Sequence, residues 1–199
     1  VRYHDFAEYN AKIKPDVFEF HLSYSDLDLN IEDFLSGEYE CDFVVHAPEL
    51  FSGSRLMDLA SPDEEYRQYS VQETQRVIDI TRSLKKYFPA TERPMIVANV
   101  GGFTMDELLP TDQLDSYYER FADSLSLLDM GGVELIPQTM APFPWHFGGQ
   151  RYQNLFVHAD ECIHWCEKLN LRMCFDISHS RLMSNHFGVN FYEFAEKIA

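Results

Sequence analysis

The chain has 199 residues, 45% of them hydrophobic, enough to bury a full core as one domain. Its 33 Asp and Glu outnumber 16 Lys and Arg, giving a formal charge of −17. Such a polyanion repels nucleic acid and anionic membranes, because phosphate binding needs Lys or Arg to displace counterions. No apolar run approaches the roughly 20 residues that span a bilayer, and the opening VRYHDFAEYN lacks a signal-peptide pattern. The cysteines, Cys41, Cys162, Cys166 and Cys174, form no CxxC pair and read as reduced thiols of a cytoplasmic protein.

In chain order, a first helix precedes two strand-like runs, VFEFHL (17–22) and DFVVHA (42–47). Ser61-Pro62-Asp63-Glu64 predicts a capping box with Pro at the first helical position. The helix that follows carries Val77, Thr81, Leu84 and Phe88 on one stripe. The third strand is PMIVANV (94–100), and Thr111 then precedes Leu114, Tyr118, Phe121, Leu125 and Leu128 at helical spacing. After the strand GVELIPQ (132–138), Asn154 is predicted to open a helix bearing Phe156, Ile163, Cys166 and Leu169, with Asn170 as its stop. The strand LRMCFDI (171–177) and a final helix, NFYEFAEKIA, complete the chain.

Strand and helix in alternation define an α/β fold with a parallel sheet and right-handed crossovers. No GxGxxG or GxxxxGK[ST] loop follows any strand, which weakens a nucleotide-binding doubly wound sheet. Polar residues instead gather at the strands' C-terminal ends: His21, His46, Asn99, Gln138 and Asp176. That is where a (β/α)8 TIM barrel concentrates its chemistry, so the barrel is the expected architecture. A barrel takes eight strands and about 250 residues, whereas about five βα units are visible here. The expectation is one partial TIM-barrel domain over residues 1–199, a fragment of a longer chain. Its open edge strands leave room for a homo-oligomer.

Asp176 ends an apolar strand, where a carboxylate is costly unless paired or bound to a cation. His179 follows within reach of the same point, and oxygen and nitrogen donors of this kind suit Mn, Co, Zn or Mg. The bland alternative is a hydrogen-bonded pair. Glu19 and His21 alternate along their strand and should face the barrel interior, with Phe18, Phe20 and Leu22 toward the helices. His46, just before Ala47-Pro48-Glu49, is as much a polar lining residue as a ligand. The segment IPQTMAPFPWHFGGQRYQN (136–154) offers Phe143, Trp145 and Phe147 as faces for sugar C–H surfaces. Beside them, His146, Gln150 and Arg151 can bind hydroxyls or a phosphate.

From FEFH through VVHAPEL and PFPWHFGGQR to FDISHS, the chain resembles the xylose-isomerase-like barrels. These include sugar-phosphate isomerases and epimerases and apurinic endonucleases of the endonuclease IV type. It is also similar to barrels appended to sialic-acid-synthase-like proteins. The resemblance implies a divalent metal held by Asp176 and His179, with Gln138 where the family carries a Glu. It implies Glu134 and His46 as catalytic residues, and His21, Asn99, Trp145, His146 and Arg151 around a sugar or sugar phosphate. The remaining family ligands would fall beyond residue 199. Gln138 removes a negative charge from a cation site, and Asn99 replaces the fourth-strand His of the endonucleases. Both departures point to a sugar isomerase or epimerase, or to a derivative that binds or scaffolds without turnover, ahead of a phosphodiester hydrolase.

Overall fold

The computed structural model of the protein describes residues 1–143 and 151–199. Two compact units are distinguished: Val1–Met57 with Gln72–Ala98 and Leu128–Leu135, and Asp58–Val71 with Asn99–Leu127 and Ile136–Ala199. The chain runs α1 (Tyr3–Lys12), β1 (Val17–His21), β2 (Asp42–His46), β3 (Leu50–Phe51) and β4 (Arg55–Leu56). Then come α2 (Glu64–Lys85), β5 (Met95–Ala98), β6 (Phe103–Thr104), α3 (Asp115–Ser126), β7 (Glu134–Pro137) and β8 (Tyr152–Gln153). The helices α4 (Ala159–Leu169), α5 (Ile177–Phe187) and α6 (Phe191–Ile198) follow. The main sheet has the order β1-β2-β5-β7, with β1 and β2 parallel from Val17↔Asp42 to His21↔His46.

In the first unit the period-2 pattern of β1 decides the packing. Phe18 and Phe20 are buried while Val17, Glu19 and His21 are exposed. Phe6 of α1 meets Phe18 edge-on at 4.8 Å and Phe88 at 5.7 Å. A fully buried Phe of this kind contributes about 1.5–3 kcal/mol. Val77, Thr81 and Leu84 of α2 lie fully buried, as their helical spacing predicts. Phe43 and Val45 of β2 and Ile96 of β5 are buried as well, as suits strands covered on both faces.

In the second unit, Met140, Val157, Met183 and Phe194 form a core on which Ala159, Phe175 and Ile198 pack. Tyr118 stacks on Trp165 at 4.6 Å, and its hydroxyl accepts the N–H of Phe156 at 2.9 Å. Phe156 has φ +59°, and this hydrogen bond helps hold that left-handed backbone.

Several expected boundaries move. The cap of α2 is Asp63, whose carboxylate accepts the Tyr66 N–H at 3.1 Å. Ser61 accepts the Asp63 N–H at 3.2 Å, so Pro62 lies in the turn before the helix. Asn154 does not open α4, which starts at Ala159 with His158 as its N-cap. Its buried amide instead ties the loops together, donating to the Gly102 carbonyl at 2.7 Å and accepting the Leu109 N–H at 2.8 Å. Asn170 does end α4, in the left-handed conformation at φ 52°, ψ 48°. The run 171–177 shrinks to a single parallel bridge, Gln138↔Cys174, because α5 begins at Ile177.

Candidate functional site

Polar side chains cluster in three places, the first of them at the ends of β1 and β2. His21 and His46, paired in register, stack with ring centroids 4.2 Å apart and planes within 4°. His46 is 8% exposed, and its Nδ1 lies 2.9 Å from the Ala47 carbonyl. With the proton on Nδ1, its Nε2 carries the lone pair. Glu19 faces His21, with Oε1 3.6 Å from Nδ1. The His21 ring holds the Glu19 carboxyl below its ordinary pKa against the opposing effect of burial, and His46 adds to it.

A second cluster sits where β7 ends and α5 begins. Asp176 caps α5, its Oδ1 accepting the His179 N–H at 2.7 Å. His179 Nδ1 lies 3.0 Å from the Thr139 carbonyl, the contact that fixes ring orientation and tautomer in metal-binding histidines. Thr139 is the hub: its hydroxyl accepts the Asp176 N–H at 2.9 Å and pairs with Ser180 at 2.9 Å. Gln138, the residue before it, is 2% exposed, and among the described residues nothing accepts from its Nε2.

The third cluster surrounds the corner after β5. Asn99 is 3% exposed and its amide oxygen accepts the Gly101 N–H at 3.1 Å, closing the turn. Asp58, fully buried, accepts the Gly102 N–H at 2.8 Å and the Ala60 N–H at 3.2 Å. Burial pushes its carboxyl up to about 6, although those N–H groups, that of Phe103 and the Arg151 charge pull the other way. Gly101 is required here: at φ +90°, a Cβ would come 2.2 Å from Asp58 Oδ1. Gln153 closes the back of the corner, donating to the Gly101 carbonyl at 2.6 Å.

Of the residues singled out in the sequence, Asp176 and His179 are thus neighbours and His21 and His46 are stacked. Arg151 acts on Asp58, and Asn99 is spent on its own turn. Glu134 opens β7, about 13 Å along the strand before Gln138 at 3.3 Å per residue, with Oε2 4.0 Å from Arg93 Nη1. Trp145 and His146 lie outside the described residues. Asp58 and Thr139 were not anticipated. Asp58 follows no periodic run, and a threonine hydroxyl that binds backbone groups leaves no mark in sequence.

As a cation site, Asp176 and His179 offer one carboxylate and one imidazole, a donor pair that fits a divalent metal. Gln138 can add only a neutral amide oxygen. Among the described residues no group of three His, Cys, Asp or Glu side chains converges on one point.

Parallel strands joined by helical crossovers, with an acid and an imidazole following a strand end, are the pattern of a TIM barrel. The chain belongs to the xylose isomerase-like TIM barrel family, whose model matches residues 10–198. No curated protein matches it. Among solved structures, a D-tagatose 3-epimerase-like protein is 22% identical, with 96% of this chain and 65% of that one covered and a TM-score of 0.58. A D-psicose 3-epimerase crystallised with D-fructose is 14% identical, with 100% and 65% covered and a TM-score of 0.60. The D-psicose 3-epimerase of Clostridium cellulolyticum H10, crystallised with D-tagatose, is 13% identical, with 93% and 65% covered and a TM-score of 0.51. The chain therefore spans about 65% of the length of these structures. None of the four cysteines is in a disulfide, and no helix of the described residues is long and apolar enough to cross a membrane.

Proposed function

We propose that this chain is part of a divalent-metal-dependent isomerase or epimerase acting on a sugar or sugar phosphate. The observation that carries the reading is the Asp176–His179 pair after the Gln138↔Cys174 bridge, its imidazole oriented by the Thr139 carbonyl. The fold shared with ketose 3-epimerases supports it.

A divalent cation held by Asp176 and His179 would polarise the carbonyl and hydroxyl oxygens on adjacent sugar carbons. The chain's own contribution is to fix those two donors. Thr139 anchors the backbone of one and the ring of the other. Arg151 is proposed to meet a phosphate or hydroxyl. Glu134, at the far end of β7 and turned to Arg93, is assigned a structural ion pair in preference to the base.

The decisive assay follows C3 epimerisation of D-fructose, D-psicose and D-tagatose, and of their phosphates, with Mn²⁺ or Co²⁺ added. Turnover that disappears in Asp176→Asn supports the proposal. Binding of sugar without turnover under every metal favours the second reading, a carbohydrate-binding or scaffolding domain, which the neutral Gln138 motivates. Neither binding nor turnover removes both.

A further inference from the structure

We propose that Gln138 donates a hydrogen bond to an oxygen of the bound ligand and does not hold the metal. This rests on the sugar-active reading above and assigns the residue's part in it.

A glutamine amide carries two N–H donors and one carbonyl acceptor. Burying the donors without an acceptor is penalised, so such a group calls for a partner from outside the chain, a water, an ion or a ligand. Gln138 is 2% exposed and its Nε2 has no acceptor among the described residues. Gln153 provides a contrast at the donor, since its Nε2 reaches the carbonyls of Gly101 and Leu155 and only its Oε1 is left without a partner among the described residues.

Placement says what the unmet donor serves. Gln138 bridges Cys174, and Asp176 follows Cys174 by two residues in extended backbone. Between them, Phe175 packs against Met140, Val157, Met183 and Phe194. Gln138 is thus a buried N–H donor bridged to the segment that carries the proposed metal carboxylate. A cation repels an N–H donor, whereas a sugar hydroxyl or carbonyl oxygen drawn to that cation accepts from it. A glutamate here would be acceptor-only when ionised and would lose this bond.

The experiment compares wild type, Gln138→Met and Gln138→Glu by calorimetric titration with Mn²⁺ alone, then with D-fructose at saturating Mn²⁺. Thermal melting of the metal-free proteins runs alongside. A donor role predicts unchanged Mn²⁺ affinity in Q138M, with D-fructose weakened about tenfold in both variants, as expected for one hydrogen bond to a buried donor. It also predicts a raised Tm for Q138M, since the apolar side chain removes the unmet group. Mn²⁺ weakened tenfold in Q138M, with D-fructose affinity kept in Q138E, would instead make Gln138 a metal ligand and overturn the proposal. So would a lowered Tm for Q138M, which would show a structural partner for the amide. A wild type that binds Mn²⁺ but no D-fructose fails the substrate reading. In that case a raised Tm for Q138M keeps the donor role for another oxygen ligand, and an unchanged or lowered Tm ends it.

Discussion

Asp176 accepts the backbone N–H of His179 at 2.7 Å, so their spacing is first of all that of a helix cap. The same geometry leaves the two side chains close, with Nδ1 and Oδ1 3.8 Å apart. Folding and the proposed metal ligation therefore draw on one residue, and substitution can separate them.

Asp176→Ala removes both roles, while Asp176→Asn keeps the cap and removes the charge. We expect the alanine variant to lose about 1 kcal/mol of stability and the asparagine variant little. Both should lose bound Mn²⁺. Urea unfolding beside metal analysis of the purified variants checks this, and full metal retention in Asp176→Asn would sink the ligand assignment.

Thr139→Val should cost about 1–3 kcal/mol, because it strips the buried acceptor from the Asp176 N–H and the partner from Ser180. Thr139→Ser, which keeps the hydroxyl, should recover most of that. Comparable losses in the two variants would mean that packing of the methyl group dominates.

Gly101→Ala should be among the most damaging single substitutions in the chain. Its Cβ meets Asp58 Oδ1 at 2.2 Å and the Asp58 Cα at 2.4 Å, at φ +90°. A loss of about 3 kcal/mol or more is expected from strain and overpacking together. By contrast, Gly37→Ala meets no atom within 4 Å and should cost only its own φ strain. Melting temperatures of the two variants test the difference.

Two buried carboxylates set a pH dependence. Burial raises Asp58 from 3.8 to about 6 and Glu161 from 4.5 to about 7. Because the folded values lie above the unfolded ones, the folded state holds these protons more tightly. Their contribution is fully present at low pH and is lost as pH rises through about 6 and 7, at most about 3 kcal/mol each. The value for Asp58 already includes the lowering effect of the Arg151 charge. Asp58→Asn should flatten the difference in urea stability between pH 5 and pH 8. A variant as pH-dependent as the wild type in that window would remove Asp58 as a cause.

Period and alternation made much of the fold readable. Phe18 and Phe20 face their helix, Val77, Thr81 and Leu84 are buried, and the parallel order of the strands follows. Helix starts were harder, because Ser61, Asp63 and Asn154 are all good capping residues and only tertiary contacts choose among them. Asp63 wins because Ser61 is occupied in the preceding turn, and Asn154 loses because its amide is drawn to Gly102. The shortened fifth strand was hidden for the same reason: an aspartate that terminates a strand and one that caps a helix look alike in sequence. Within the candidate site, Asp176 and His179 could be singled out because a carboxylate at the end of an apolar run is conspicuous. Groups that work through backbone contacts, such as Thr139, or through burial, such as Asp58, could not.

The left-handed turn at Phe156 bears on the order of assembly. That backbone is unfavourable in isolation by about 1–3 kcal/mol, and the bond holding it comes from Tyr118, 38 residues earlier in the chain. The turn has no local means of support before α3 is in place. Its hydrogen bond requires α3 to be docked, so hydrogen exchange at the Phe156 amide should report on that docking.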